Sequence, residues 1–233
     1  ERRYTDPMST ASDQQIAAAF WSRAFEQLDA RGAPPAIWNA IPEVARHINL
    51  RISGDPGVDW IEHTARTHFA GRLPLARILS PGCGAGQLER RLARRGLVAA
   101  AYGYDVAPGA IEIARREAAD AGLSDLHYDV ADLNTLELPP RHFDAVWIEL
   151  SLHHFAELEA TLDRLAASLK PDGLLVFNEY VGPSRFQFGP RQKAVINHCL
   201  NLLPERYRQT SSDFVAGEAE RASLDRGATW LIR

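Results

Sequence analysis

Three glycines at alternate positions, Gly82, Gly84 and Gly86, close the run Ile78-Leu79-Ser80-Pro81-Gly82-Cys83-Gly84-Ala85-Gly86. A short apolar stretch leads into them, and a helix-like segment from Gln87 to Arg95 follows at once. That order reads as strand, tight loop, helix start, because glycine permits positive φ and lets a ligand approach the main chain closely. The spacing is GxGxG. The GxGxxG of dinucleotide-binding loops needs a further glycine at position 87, where this chain has Gln87. The loop therefore points to an adenosine-containing cofactor other than a nicotinamide dinucleotide. Asp105 stands nineteen residues beyond Gly86, where a carboxylate can accept two hydrogen bonds from a ribose diol. It can also cap the helix that Ala107-Pro108 begins. Asp132 can accept from an adenine amino group while the N–H of Leu133 donates to the ring, and Asp129 offers a competing choice. Glu149, His153, His154 and Glu179 fall at or just beyond the ends of two later strands, where open α/β sheets bind ligands. A histidine or carboxylate there can serve as a general base, His153 being the preferred candidate. The same His pair can instead pack a loop and cap the next helix. No third and fourth ligand stand at metal spacing, so no metal is expected.

Alternating elements must position these groups. Ala76–Ser80, Ala99–Tyr104, Asp125–Val130, Phe143–Leu150 and Leu174–Tyr180 read as strands. Between them, Gln87–Arg95, Pro108–Ala121 and Ala156–Leu169 read as helices, with Pro108 suited to a first helical position and Gly122 to a stop. Phe143–Leu150 is a nearly continuous apolar run, as a strand buried on both faces requires. Lys170-Pro171-Asp172-Gly173 reads as a stop and turn before the fifth strand. Repeated βα units imply a parallel sheet with right-handed crossovers. Ahead of this pattern, residues 1–74 read as a helical extension or lid. One helix is opened by the capping box Ser12-Asp13-Gln14-Gln15, a second covers Ala36 to about Asn49 with a break near Pro42, and a third covers about Asp59–Phe69. Residues 75–233 read as the cofactor-binding domain. It ends in a helix over Arg191–Leu203 and a last strand at Ala228–Ile232.

Taken together, Ile78–Gly86, Asp105, Asp132-Leu133, Phe143-Asp144, Leu152-His153-His154-Phe155 and Leu169-Lys170-Pro171-Asp172-Gly173 resemble a class I S-adenosylmethionine-dependent methyltransferase. The resemblance spans roughly Ala76 to Tyr180 and implies a Rossmann-like seven-stranded sheet in the order 3-2-1-4-5-7-6, with strand seven antiparallel. It implies that Gly82, Cys83, Gly84 and Gly86 line the methionine part of S-adenosyl-L-methionine. Asp105 would then hold the ribose, Val106 pack on the adenine, and Asp132 with Leu133 fix the adenine edge. Two departures stand out. The family's acidic residue two places before the first glycine is Ser80 here, and Glu149 is a candidate to supply the missing contact. Residues 210–233 are also short for both final strands.

The resemblance implies methyl transfer to a small-molecule or glycan-type acceptor, on oxygen or nitrogen. His153, His154 and Glu179 are the catalytic candidates, and Tyr180 and Arg185 the acceptor-binding ones. Arg185 lies between Pro183 and the aromatic Phe186 and Phe188, where a guanidinium can clamp an anionic group. Alternatives are methylation of RNA or protein, and a non-catalytic cofactor-binding partner protein. Composition narrows these. The chain has 233 residues, 45% of them hydrophobic and 24% charged, with a formal net charge of −4. Those values suit an ordinary globular protein and give no basic excess for nucleic acid. Arg90, Arg91, Arg94 and Arg95 read as a solvated helix face. Two distant cysteines, no membrane-length apolar run and no signal-peptide core behind Glu1 suggest a cytoplasmic protein.

Overall fold

A five-stranded parallel sheet carries the fold in the computed structural model, which describes residues 13–30, 41–155, 157–179 and 189–202. Its strands are β1 (Ile78–Pro81), β2 (Ala101–Asp105), β3 (Leu126–Val130), β4 (Phe143–Glu149) and β5 (Leu169–Asn178), in the spatial order β3-β2-β1-β4-β5. Ile78 lies beside Ala101 on one side and Ala145 on the other, and Asp105 lies beside Val130. The carboxyl ends of β1 and β2 therefore finish together, and the order reverses between β1 and β4. That reversal is the switch point at which open α/β sheets bind ligands. The expected order begins with the same five positions. Its last two strands, including the one read at Ala228–Ile232, fall outside the described residues.

The helices are α1 (Asp13–Ala30), α2 (Pro42–Ser53), α3 (Trp60–His68), α4 (Gln87–Arg94), α5 (Pro108–Asp120), α6 (Leu158–Ser168) and α7 (Pro190–Leu202). Local chemistry explains several boundaries. Asp59 accepts the Glu62 N–H at 2.9 Å and so caps α3, and Pro42 and Pro108 each open a helix where no N–H is needed. Residues Phe143–Ile148 of β4 are all buried. Ile78, Leu92, Ile111 and Trp147 share one core cluster with Ile61 and Phe69 of the α3 segment. Phe69 stacks on Trp147 with ring centroids 6.0 Å apart, so the α3 segment completes the core of the sheet.

Two expectations are corrected. Lys170–Gly173 is not a stop; it lies inside β5. Phe143 pairs with Leu169 and Ala145 with Leu174, so the proline and glycine are absorbed in a bulge on β5. Nor is the arginine run simply a solvated face. Arg90 is buried, donating to Ala85 O at 2.6 Å and to Glu117 at 2.8 Å, while Arg91 pairs with Glu149 and Arg95 with Asp59. The described residues form two compact units. The sheet and helices through Leu152, with Glu157–Asn178, make the first. The second contains His153, His154, Glu179 and α7. No helix among the described residues is long and apolar enough to cross a membrane.

Candidate functional site

The glycine loop continues the β1–β2 ladder. Gly82 and Cys83 both donate to Tyr104 O, at 2.7 and 3.1 Å, and Gly86 N–H donates to Cys83 O at 2.9 Å to close the turn. Two of its glycines are dictated by their surroundings. Gly84 has φ +52°, and an added Cβ would lie 2.9 Å from the ring of Phe25 on α1. Gly86 has φ +74°, caps α4 in the left-handed region, and an added Cβ would lie 2.7 Å from the Tyr128 hydroxyl. Left-handed φ and the close approach of an aromatic ring together leave room for hydrogen only.

Asp105 ties this loop to the end of β2. Its Oδ2 accepts the Gly84 N–H at 2.9 Å and its Oδ1 accepts the Ala107 N–H at 2.9 Å. The second bond is an Asx turn just ahead of α5, whose N-cap is Ala107 with no side-chain cap, so Asp105 is not the helix cap that the sequence allowed; the first is a loop contact it did not reveal. Each oxygen has a second lone pair for a further donor. Burial raises the Asp105 pKa, while the N–H groups of Ala107, Gly84 and Val106 pull it back down. Val106 beside it is half-buried.

Asp132 stands at the same end of the sheet. The N–H of Ala131 donates to Asp105 O at 2.9 Å, joining the two segments. Asp132 Oδ1 accepts both the N–H and the side-chain amide of Asn134 at 2.9 Å, an Asx turn that fixes the loop. Leu133 O accepts from Arg164 at 2.9 Å. Asp129, the competing residue, forms an exposed pair with Arg115 instead. Glu149, at the end of β4, accepts Arg91 Nη1 on both oxygens at 3.1 Å. The next residue, Leu150, has φ +52°, unusual for a non-glycine, and Ser151 donates to Pro81 O at 3.1 Å, joining the ends of β1 and β4.

In the second unit, His153 Nδ1 and Glu179 Oε1 are 2.6 Å apart, and the Glu179 side chain is only 7% exposed. A carboxylate at Nδ1 selects the tautomer with its proton there and leaves Nε2 as an acceptor. The His154 ring lies 4.0 Å from that of His153, and burial with the adjacent histidine lowers its pKa to about 4. The structure thus brings His153, His154 and Glu179 together, and separately Gly82, Cys83, Gly84, Gly86, Asp105 and Asp132. Tyr180 and Arg185 lie outside the described residues.

Two residues at the loop escaped the sequence reading. Phe25 sits over Gly84, a contact across fifty-nine positions that no local pattern announces. Glu89 is fully buried in the first turn of α4. No local pattern announced it, since it directly follows Leu88, which with Leu92 forms the helix's apolar face. A charge beside such a face reads as its border.

The sequence profile of a family described as "Methyltransferase domain" matches residues 79–177. A demethylmenaquinone methyltransferase of Thermus thermophilus is 38% identical over 127 residues, 54% of this chain and 57% of that protein. An aklanonic acid methyltransferase of a Streptomyces species is 33% identical over 136 residues, 57% of this chain and 62% of that protein. The chain thus spans somewhat over half the length of these relatives. Among solved structures, the [4+2]-cyclase SpnF aligns with a TM-score of 0.56 and 24% identity over 77% of this chain and 65% of that one, a likeness of fold alone.

Proposed function

Because the chain belongs to the class I S-adenosylmethionine-dependent methyltransferase family, we propose that it transfers a methyl group from S-adenosylmethionine to a small-molecule acceptor. The observation that carries this reading is the junction of Gly84 and Asp105, where one carboxylate fastens the glycine loop and keeps lone pairs for a ligand. The residues present fit the donor, for the Asp105 carboxylate accepts one backbone N–H on each oxygen and keeps a lone pair on each for the ribose hydroxyls. When bound, S-adenosylmethionine supplies an electrophilic methyl group on a sulfonium. Gly82, Cys83, Gly84 and Gly86 would face its methionine arm, Asp105 would accept from the ribose hydroxyls, and Val106, Asp132 and Leu133 would hold the adenine.

For a hydroxyl acceptor, His153 is the proposed general base. Glu179 holds its Nδ1 proton, so Nε2 can take the acceptor's proton and the imidazolium is stabilised as it forms. His154, with its pKa lowered to about 4, is neutral at physiological pH and supports that charge change without competing for the proton. A small molecule of the quinone or aklanonic acid kind is the favoured acceptor class. The relatives named for demethylmenaquinone and aklanonic acid support it, and the net charge of −4 argues against RNA. A sugar-like or amine acceptor, and residues 1–74 acting as a cover for the site, belong to the same proposal.

The test is label transfer from methyl-labelled S-adenosylmethionine to a panel of phenols, hydroquinones, polyketide acids, amines and sugars. Labelled product with stoichiometric S-adenosylhomocysteine is expected for an oxygen acceptor. Cofactor binding without turnover on any panel member would favour the non-catalytic alternative.

A further inference from the structure

Glu89, the third residue of α4, has 0% exposure, and neither carboxyl oxygen has a hydrogen-bond partner of acceptable geometry among the described residues. A carboxylate in that state is costly unless something of opposite charge meets it. Its surroundings lie under the glycine loop. The Ser80 hydroxyl at the end of β1 is near enough to act on it, as are Arg90 on α4 and Glu149 on β4. Cys83 in the loop and Tyr128 on β3 feel its charge in turn, and Asp105 on β2 acts with it on Cys83. Tyr128 gives its hydroxyl to Gly86 O at 3.3 Å, so Glu89 is coupled to the loop's last glycine through a shared neighbour. The nearby cations are committed elsewhere, Arg90 to Ala85 O and Glu117 and Arg91 to Glu149. Burial raises the pKa of Glu89 to about 7, against the lowering pull of Ser80 and Arg90.

We propose that Glu89 is the carboxylate that answers the cationic methionine arm of the methyl donor at the glycine loop, in the place where β1 offers only Ser80. Glu89 carries the charge on the helix and Ser80 supplies the room for it on the strand. Glu149, the candidate from sequence, is engaged by Arg91. This inference rests on the methyl-donor reading above. Its consequence is a proton balance. In the free protein burial keeps a proton on Glu89 until about pH 7. A cation at the loop favours the carboxylate, so that proton leaves to buffer as the ligand binds.

The test is calorimetric titration of the full chain with S-adenosylhomocysteine, which keeps the methionine ammonium, at pH 6.5 in two buffers of different ionisation enthalpy. Wild type is expected to release a large fraction of one proton per site. Glu89→Gln keeps the shape and removes the charge; it is expected to abolish that release and weaken binding by ~10-fold or more, as removal of a nearby opposite charge in a low-dielectric site does. Ser80→Asp added to Glu89→Gln is expected to recover most of the affinity. Binding by Glu89→Gln equal to wild type, or no proton release from wild type, overturns the proposal. The second measurement decides even if the variant does not fold. Wild type that binds neither S-adenosylhomocysteine nor S-adenosylmethionine would instead overturn the donor reading on which the proposal rests.

Discussion

Asp105 joins two jobs in one carboxylate, fastening the loop through Gly84 and fixing the turn that leads into α5 through Ala107. Its place was legible because the distance from a glycine loop to the end of the next strand is set by one helix and one strand. Glu89 and Arg90 were not legible in the same way. Whether a charged side chain at a helix edge is solvated or buried depends on what packs over it, and here β3 and α5 supply that cover. The His153–Glu179 pair joins residues twenty-six positions apart whose nomination came from strand ends alone; its 2.6 Å contact is a tertiary fact. At this scale, His153→Ala is expected to lower kcat for a hydroxyl acceptor by ~100-fold or more, the usual contribution of a positioned base. Glu179→Gln should lower it less, by releasing the ring's orientation. Both should leave the Kd for S-adenosylhomocysteine within about twofold, since neither group is proposed to touch the donor. Steady-state kinetics with parallel calorimetry checks this, and unchanged rates in both variants would remove His153 from the base role.

Among the elements, the β1–loop–α4 unit was the most readable, because apolar strand, glycine spacing and helix onset each left a local mark. Strand existence was legible throughout the described sheet, and the boundaries of β1 to β4 moved by no more than two residues. β5 began five residues earlier than expected, since Pro171 and Gly173 act as breakers only where the ladder needs every residue, and a bulge exempts them. The contact of α1 with the loop through Phe25 and with α5 through Asp29 and Arg116 had no sequence signal. Gly86→Ala tests the unit. Its φ of +74° costs an alanine ~1–2 kcal/mol, and the Tyr128 hydroxyl 2.7 Å from the new Cβ adds to that. Denaturant unfolding should show a loss of about 2 kcal/mol or more. A loss below about 0.5 kcal/mol would mean that the loop relaxes freely.

Across the whole molecule, the buried Glu89 and the half-buried His154 give opposite pH slopes. Glu89 has its pKa raised from 4.5 to about 7, so the folded state holds more protons than the unfolded one in that window and stability falls as pH rises. His154 has its pKa lowered from 6.5 to about 4, so the unfolded state holds more protons there and stability rises with pH. The two effects offset each other between about pH 4.5 and 6.5. Thermal unfolding of Glu89→Gln over that range should therefore show Tm climbing more steeply with pH than wild type, and His154→Gln should tilt the other way. Parallel profiles would mean that neither group is buried as described. The central claim concerns the seat built from the glycine loop, Asp105 and Asp132, and calorimetry on the full chain tests it most directly. The account predicts that S-adenosylmethionine and S-adenosylhomocysteine bind at one site per chain, that NAD does not, and that Asp105→Ala weakens both by ~10-fold or more. Binding of NAD with no binding of either adenosyl compound would contradict it.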